Sequence, residues 1–268
     1  MAKLGVIFYP FPNVSLEDFL RYAARTGFGC VEIMIGHIWN EKDPSADPEK
    51  RAAEVKVMLD GLGLKVGALS SGNDFVLLDE AQVAAQCARM ERVLGIAKVL
   101  QAGCIRTEGG WPKDSVPPAR WAGAIVRCCE RLVEPAEKAG IGLAIDNHGL
   151  VTNAEGVLEE VFRRIPNRII GSNLDTFNWR WYGHSMQVVK ELWNVCIPRV
   201  LHTHLKDGTG SREQYVGKVL GEGEGEAAEA VRRLKAAGCK GVFCAECEAA
   251  MPSEEAYAQC LKWMKANI

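Results

Sequence analysis

Short apolar runs alternate along the chain with longer stretches whose apolar positions recur every three or four residues. The first pattern suits a strand buried on both faces and the second an amphipathic helix. One phrase recurs, a helical pattern, then glycine, then a short β-rich run: "YAARTGFGCVEIMI", "VMLDGLGLKVGAL", "AEKAGIGLAI" and "LKAAGCKGVFCAE". The glycines that follow the helical parts are Gly27, Gly63, Gly140 and Gly238, where a left-handed cap normally ends a helix.

Strand-like runs start near Lys3, Cys30, Lys65, Val99, Gly142, Ile169, Val200 and Gly241, and amphipathic stretches near Ser15, Asp47, Asp79, Pro117, Asn153, Ser185, Glu226 and Ser253. Ser15 with Asp18, Asp47 before Pro48, and Ser253 before two glutamates are helix-start signals. Strict strand–helix alternation requires a parallel sheet, and eight units predict a closed (β/α)8 TIM barrel, with residues 1–268 as one α/β domain. The alternative is a doubly wound open sheet. Against it, the first strand-to-helix turn, "FYPFPNVS", lacks the glycines of a dinucleotide fingerprint. No linker or low-complexity segment divides the chain, and "GEGEGEAAEA" reads as a loop entering a helix.

Composition narrows the partners. A formal charge of -2 and the absence of a long Lys/Arg run argue against nucleic acid. No apolar stretch approaches the ~18 residues of a membrane span. The opening "MAKLGVIFYPFP" reads as a first strand rather than a signal peptide. The ten cysteines are scattered through apolar segments of a sizeable chain, which predicts reduced thiols packed as small hydrophobes in the cytoplasm. The single CxxC, "CAEC" at 244–247, lies in a strand-like run rather than at a turn opening a helix.

"VLHTHLKDG", residues 200–208, carries His202, His204 and Lys206 at every second position. On a strand these share one face, and burying them is costly unless they are paired or bind a metal. Barrel chemistry sits at the C-terminal ends of strands. There the second run passes Glu32, the third enters "SSGNDF", the fifth ends "LAIDNHG", the sixth "SNLDTFNW" and the eighth "FCAECE". Asp146, Asp175, His204 and Glu246 together form a candidate site for one divalent cation, best suited to Mn²⁺ or Mg²⁺, with Zn²⁺ or Co²⁺ as alternatives. Without a cation, three buried carboxylates would repel one another and take up protons. Taken singly, each acid also reads as a helix cap or loop anchor. His202 is expected beneath His204, either orienting a ligand or bonding within the core. Lys206 would neutralise an oxyanion or pair with Asp207 or a rim acid. His148 shares the face of Asp146 and should reach a substrate, while Glu248 bears the same relation to Glu246 or is a solvated rim charge.

These pieces, with "VEIMI", "NLDTFNW", "HTHLKD", the "GEGEGE" loop and "AECE", resemble the xylose-isomerase-like (β/α)8 superfamily over essentially the whole chain. That superfamily holds sugar isomerases and epimerases, inosose-processing enzymes and endonucleases. The resemblance implies a metal held by Asp146, Asp175, His204 and Glu246, with Asp146 and Glu246 also moving protons. Most relatives have Glu where this chain has Asp146, one methylene shorter. The three-zinc endonucleases have His where this chain has Asn178, and five histidines are too few for a trinuclear site, which argues against DNA repair.

The function expected is therefore metal-dependent isomerisation or epimerisation of a keto-sugar or related polyol by proton transfer through an enediolate. Asp146 and Glu246 would be the proton carriers, with His148 and Lys206 stabilising the enediolate oxygens. Trp39, Asn73, Trp111, Arg180 and His184 fall after strands and are candidates to hold the sugar, or equally to pack or anchor loops. A lyase or dehydratase acting on a 3-keto sugar or its glycoside shares the first step and is the alternative; a non-catalytic sugar-binding barrel is the third reading. Seven tryptophans are compatible with sugar stacking or with a homo-oligomer contact.

Overall fold

The computed structural model describes residues 3–268; Met1 and Ala2, the start of the leading segment, lie outside them. Eight strands close into a parallel barrel: β1 (Lys3–Ile7), β2 (Cys30–Met34), β3 (Lys65–Ser70), β4 (Cys104–Thr107), β5 (Gly142–Asp146), β6 (Ile170–Asp175), β7 (Val200–Leu205) and β10 (Val242–Ala245). Neighbours in the barrel are neighbours in sequence, and β10 pairs with both β7 and β1 to complete the ring. The protein is thus a single (β/α)8 TIM barrel.

Helices α1 (Leu16–Thr26), α2 (Pro48–Gly61), α3 (Glu80–Leu100), α4 (Trp121–Ala139), α5 (Val157–Arg164), α7 (Met186–Cys196), α8 (Ala227–Ala236) and α9 (Ser253–Asn267) form the outer layer. The signals at Ser15 and Asp47 act as caps, whereas Ser253 is the first residue of α9 and its hydroxyl donates to the Pro10 carbonyl instead of capping the helix. Ser15 accepts the Asp18 N–H, and its hydroxyl donates back to the Asp18 carboxylate. Gly27 and Gly140 end α1 and α4 at φ 99° and 68°, a backbone region that side chains disfavour. No helix among the described residues is long and apolar enough to cross a membrane.

Three elements differ from the periodicity. The run near Val99 is the last turn of α3, closed by Gln101 at φ 54°, and the fourth strand begins only at Cys104. The short helix α6 (Asn178–Tyr182) precedes α7. A hairpin, β8 (Asp207–Thr209) with β9 (Val216–Lys218), follows β7. The glycine-rich loop is fixed by Asp207, whose carboxylate accepts the N–H groups of Gly221, Gly223 and Gly225 at 2.9–3.1 Å. Asp207 is therefore a loop clamp and not the partner of Lys206. All ten cysteines are free.

The barrel interior changes character along its axis. Ala68, Cys104 and Ala144 fill the lower part with small side chains, packed by Leu201. The layer above them, at the C-terminal ends of the strands, is polar and buried. Two register shifts lie at this level, between Val31 and Glu32 and between Ser172 and Asn173. Such irregularities re-aim side chains, and here they flank Glu32 and Asn173.

Candidate active site

The two imidazoles of β7 meet Glu32 of β2 across the barrel. Nε2–H of His202 and of His204 donate to the same oxygen, Oε2, at 2.9 and 2.7 Å, and Ser70 Oγ donates to Oε1 at 2.5 Å. Burial disfavours the Glu32 carboxylate, but His204 and His202 outweigh it and hold the pKa well below the usual range. With Nε2 of His204 committed to Glu32, Nδ1 is turned toward the centre. It lies 2.9 Å from Glu246 Oε2 yet makes no hydrogen bond. Burial opposes charge on His204, but Glu32 and Glu246 outweigh it and raise its pKa well above the usual value.

Asp175, at the end of β6, supplies the third atom. Its Oδ1 accepts the N–H groups of Phe177 and Asn178, each at 2.7 Å. Its Oδ2 is fully buried and has no partner, and burial pushes the carboxyl pKa up to about 7. One ligand atom each from Asp175, His204 and Glu246 falls within 4.8 Å of the others. Buried polar atoms are almost always satisfied, so an unpartnered Oδ2 and Nδ1 facing one point fit a bound cation. Two carboxylates and one imidazole with remaining positions open are a donor set suited to a catalytic divalent ion. Glu32, His202 and His204 also approach closely enough for an ion, but their facing atoms are consumed in hydrogen bonds to one another.

Asp146 is differently placed. Its Oδ2 accepts Nε and Nη2 of Arg106 from β4 at 2.8 and 2.5 Å, and its Oδ1 accepts Asn173 Nδ2 at 2.7 Å. Burial opposes its charge, Arg106 overcomes that, and the carboxyl pKa is lowered. Lys206 donates to Glu246 Oε1 at 2.7 Å and lies 2.8 Å from Glu248 Oε2. Burial disfavours the ammonium, yet Glu246, Asp175 and Glu248 keep its pKa well above the ordinary value. His148 stands 3.7 Å from Asp146 Oδ2 through Nδ1, its backbone N–H held by Thr152 Oγ1. Burial and Arg106 lower its pKa.

Arg106, His148, Lys206 and Glu246 line a cavity of about 250 Å³ with Tyr9, Glu108 and Glu248, while Asp146, Asp175 and His204 are buried behind its wall. A larger depression of about 380 Å³, lined by Lys56, Asp60 and Lys65, lies at the start of β3 and holds none of this cluster.

The candidate sugar-holding residues divide. Trp111 is half exposed and does not line the cavity, but it stands edge-on to His148 of the cavity wall with ring centroids 6.2 Å apart. The other four are engaged elsewhere and do not line the cavity. Trp39 lies under Arg92, 4.6 Å from its ring centroid. Asn73 is a buried loop anchor whose amide donates to Glu108 O and accepts from Glu108 N. Arg180 pairs with Glu224 at 2.6 Å. His184 packs on Tyr182 and bonds the Asn153 carbonyl. Sequence reasoning passed over Arg106 and gave Glu32 no role. The available signal was an inward charge near the end of each strand, Arg106 in "CIRT" and Glu32 in "VEIM".

Glu32 fixes the tautomer and angle of His204, the arrangement in which a carboxylate behind a histidine strengthens ion binding. Glu32→Gln is therefore expected to weaken divalent-ion binding by about 10–100-fold, read by competition with a chelator. Unchanged affinity would show that Glu32 only fills space.

Comparison with known proteins agrees with this architecture. Among curated protein sequences none matches the chain. Among solved structures, 3-keto-D-glucoside 4-epimerase from E. coli is similar with a TM-score of 0.76 and 15% identity, covering 99% of this chain and 100% of that one. D-psicose 3-epimerase from Clostridium cellulolyticum H10, solved with D-tagatose, gives 0.78 and 15%, covering 99% of both chains. The IOLI protein with a bound zinc atom gives 0.79 and 18%, covering 98% and 97%. At these identities the likeness is one of fold. A family model described as xylose isomerase-like TIM barrel matches residues 20–267, and the chain belongs to that family.

Proposed function

We propose that the protein is a divalent-ion-dependent isomerase or epimerase of a keto-sugar or related polyol. The observation that carries this reading is the convergence of buried, unpartnered Asp175 Oδ2 and His204 Nδ1 with Glu246 Oε2 beside the cavity. Asp175, His204 and Glu246 would hold the ion, Mn²⁺ or Mg²⁺ by the oxygen-rich donor set, with Zn²⁺ or Co²⁺ as alternatives. Once bound, such an ion polarises a carbonyl and its neighbouring hydroxyl. The cavity is below the ~300–1,000 Å³ typical of drug-sized ligands, which favours a monosaccharide.

Glu246 is the candidate base that takes the proton beside the carbonyl. Burial raises its pKa, but Lys206 and His204 override this and keep it ionised. Lys206, fully protonated, faces the same cavity and would stabilise the enediolate oxygen. His148, lining the cavity after β5, is the second proton carrier: when it holds a proton it gives it to the face opposite Glu246, which keeps the proton it took until both re-equilibrate with solvent. It is separated from Glu246 by β6 and β7 in the barrel order, so the two reach a substrate carbon from different sides. Proton return to the opposite face gives an epimer; return to the neighbouring carbon gives an isomer.

Elimination from a 3-keto sugar or its glycoside is a second reading, favoured by one observation. Tyr9 and Trp111, 43% and 52% exposed, stand by the cavity where an aglycone would stack. Turnover of a panel of keto-sugars by ion-loaded protein in D₂O separates the two. One solvent deuterium on the reacting carbon, in a product of otherwise unchanged mass, is expected. A product lighter by water or by an aglycone, absorbing in the ultraviolet as a conjugated ketone, would replace isomerisation with elimination.

A further inference from the structure

Asp146 and Asp175 end adjacent strands and are both fully buried, but their oxygens are used in opposite ways. Asp175 leaves Oδ2 with no partner. Asp146 leaves neither oxygen free: Oδ2 accepts two guanidinium N–H groups and Oδ1 accepts the Asn173 amide. Asp146 also falls outside the group formed by Asp175, His204 and Glu246. Its Oδ2 lies 4.0 Å from His204 Nδ1, as does Asp175 Oδ2, so the two aspartates differ in how their oxygens are bonded and not in reach. The Arg106 guanidinium is in turn fixed from several sides: Asp146 on two nitrogens, Glu108 Oε1 at 3.4 Å from Nη1, and Glu32 Oε1 at 4.0 Å from Nε. It lines the cavity.

We propose that Asp146 is a positioning residue for Arg106 rather than a ligand of the ion, and that the Arg106 guanidinium receives the oxyanion that develops on the substrate. The bonding favours this division: both Asp146 oxygens are committed to Arg106 and Asn173, whereas Asp175 Oδ2 has no hydrogen-bond partner and Lys206 holds Glu246 through Oε1 and not Oε2. Two charge-assisted N–H bonds converging on Asp146 Oδ2 give the guanidinium a fixed direction, and a preorganised donor of that kind stabilises charge at little reorganisation cost. The shorter side chain of Asp146 serves the arrangement, because it leaves room for the guanidinium between the carboxylate and the cavity. The oxyanion role rests on the isomerase reading, but the test needs no substrate.

Mn²⁺ affinity is measured by equilibrium dialysis for the unaltered protein, Asp175→Asn, Asp146→Asn and the double variant Arg106→Gln/Asp146→Asn. The double variant removes both charges together, so an unpaired buried guanidinium does not decide the result. Affinity within about 3-fold of the unaltered protein is expected for the double variant, against a loss of about 10-fold or more for Asp175→Asn. A loss in the double variant equal to that of Asp175→Asn would make Asp146 a ligand and overturn the proposal. Oxalate, a planar dianion that mimics an enediolate, is then titrated into the Mn²⁺-loaded protein by calorimetry. The double variant Arg106→Gln/Asp146→Asn, which leaves no buried carboxylate unpaired beside the ion, is expected to bind it at least about 10-fold more weakly, as for loss of one oxyanion donor, with Mn²⁺ affinity retained. Equal oxalate affinity in the two proteins, or none in the unaltered one, would overturn the oxyanion role. If oxalate discriminates but no keto-sugar exchanges deuterium, the isomerase reading fails and the Arg106 site stands.

Discussion

Glu246→Gln is expected to give a folded barrel whose turnover of its keto-sugar falls by about 10²–10⁴-fold, the usual contribution of general acid–base catalysis. The substitution keeps the size and shape of the side chain. Its amide oxygen can still accept from Lys206, which now donates to Oε1 at 2.7 Å, so the layer around β10 should hold. What disappears is proton affinity at the position that faces His204 Nδ1 and the cavity. Turnover is measured with the ion at saturating concentration, so that weaker binding does not masquerade as lost proton transfer. Near-normal turnover would remove Glu246 as the base and pass the role to another proton-accepting group of the cavity wall, His148 before Glu108 or Glu248.

Asp175→Asn and His204→Ala are each expected to lose the divalent ion, and with it activity. Asn at 175 retains an Oδ1 acceptor for the Phe177 and Asn178 N–H groups and loses only the charge on the unpartnered oxygen. It is therefore the cleaner variant. His204→Ala also frees one of the two imidazole bonds on Glu32 and should be less stable. Elemental analysis of protein purified without chelator should show about one equivalent in the unaltered chain and little in either variant. The thermal midpoint gives a second reading: ligand that binds only the native state stabilises it by mass action, by about 2.7 kcal/mol at one hundred times the dissociation constant, and so raises the midpoint. Addition of Mn²⁺ should raise the midpoint of the unaltered protein and leave that of Asp175→Asn unmoved. A full complement of ion in both variants would exclude the proposed site.

Several features of this molecule were present in the sequence because they depend on neighbours a few residues apart. The alternation of β-rich runs with amphipathic stretches specified the parallel barrel, and Ser15, Asp47, Gly27 and Gly140 marked helix ends through local backbone bonds. Period-two spacing put His202, His204 and Lys206 on one face of β7, and their place at a strand end put them with Asp175 and Glu246. The fourth strand was misplaced because "AKVL" is apolar enough for either state, and continuation of α3 decided it.

Which polar group answers which was decided only by closure of the barrel. Glu32 meets His202 from 170 positions away, and Arg106 meets Asp146 from 40. No periodicity links such pairs, and an aspartate at a strand end reads the same whether its oxygens face an ion or a guanidinium. Loops were still less legible. Trp39, Asn73, Arg180 and His184 follow strands, yet each is engaged by a partner outside the cavity, Arg92, Glu108, Glu224 and Asn153. Strand geometry sets the direction of a side chain on a strand; past its end the backbone turns freely, and the nearest available partner in space decides where the side chain goes.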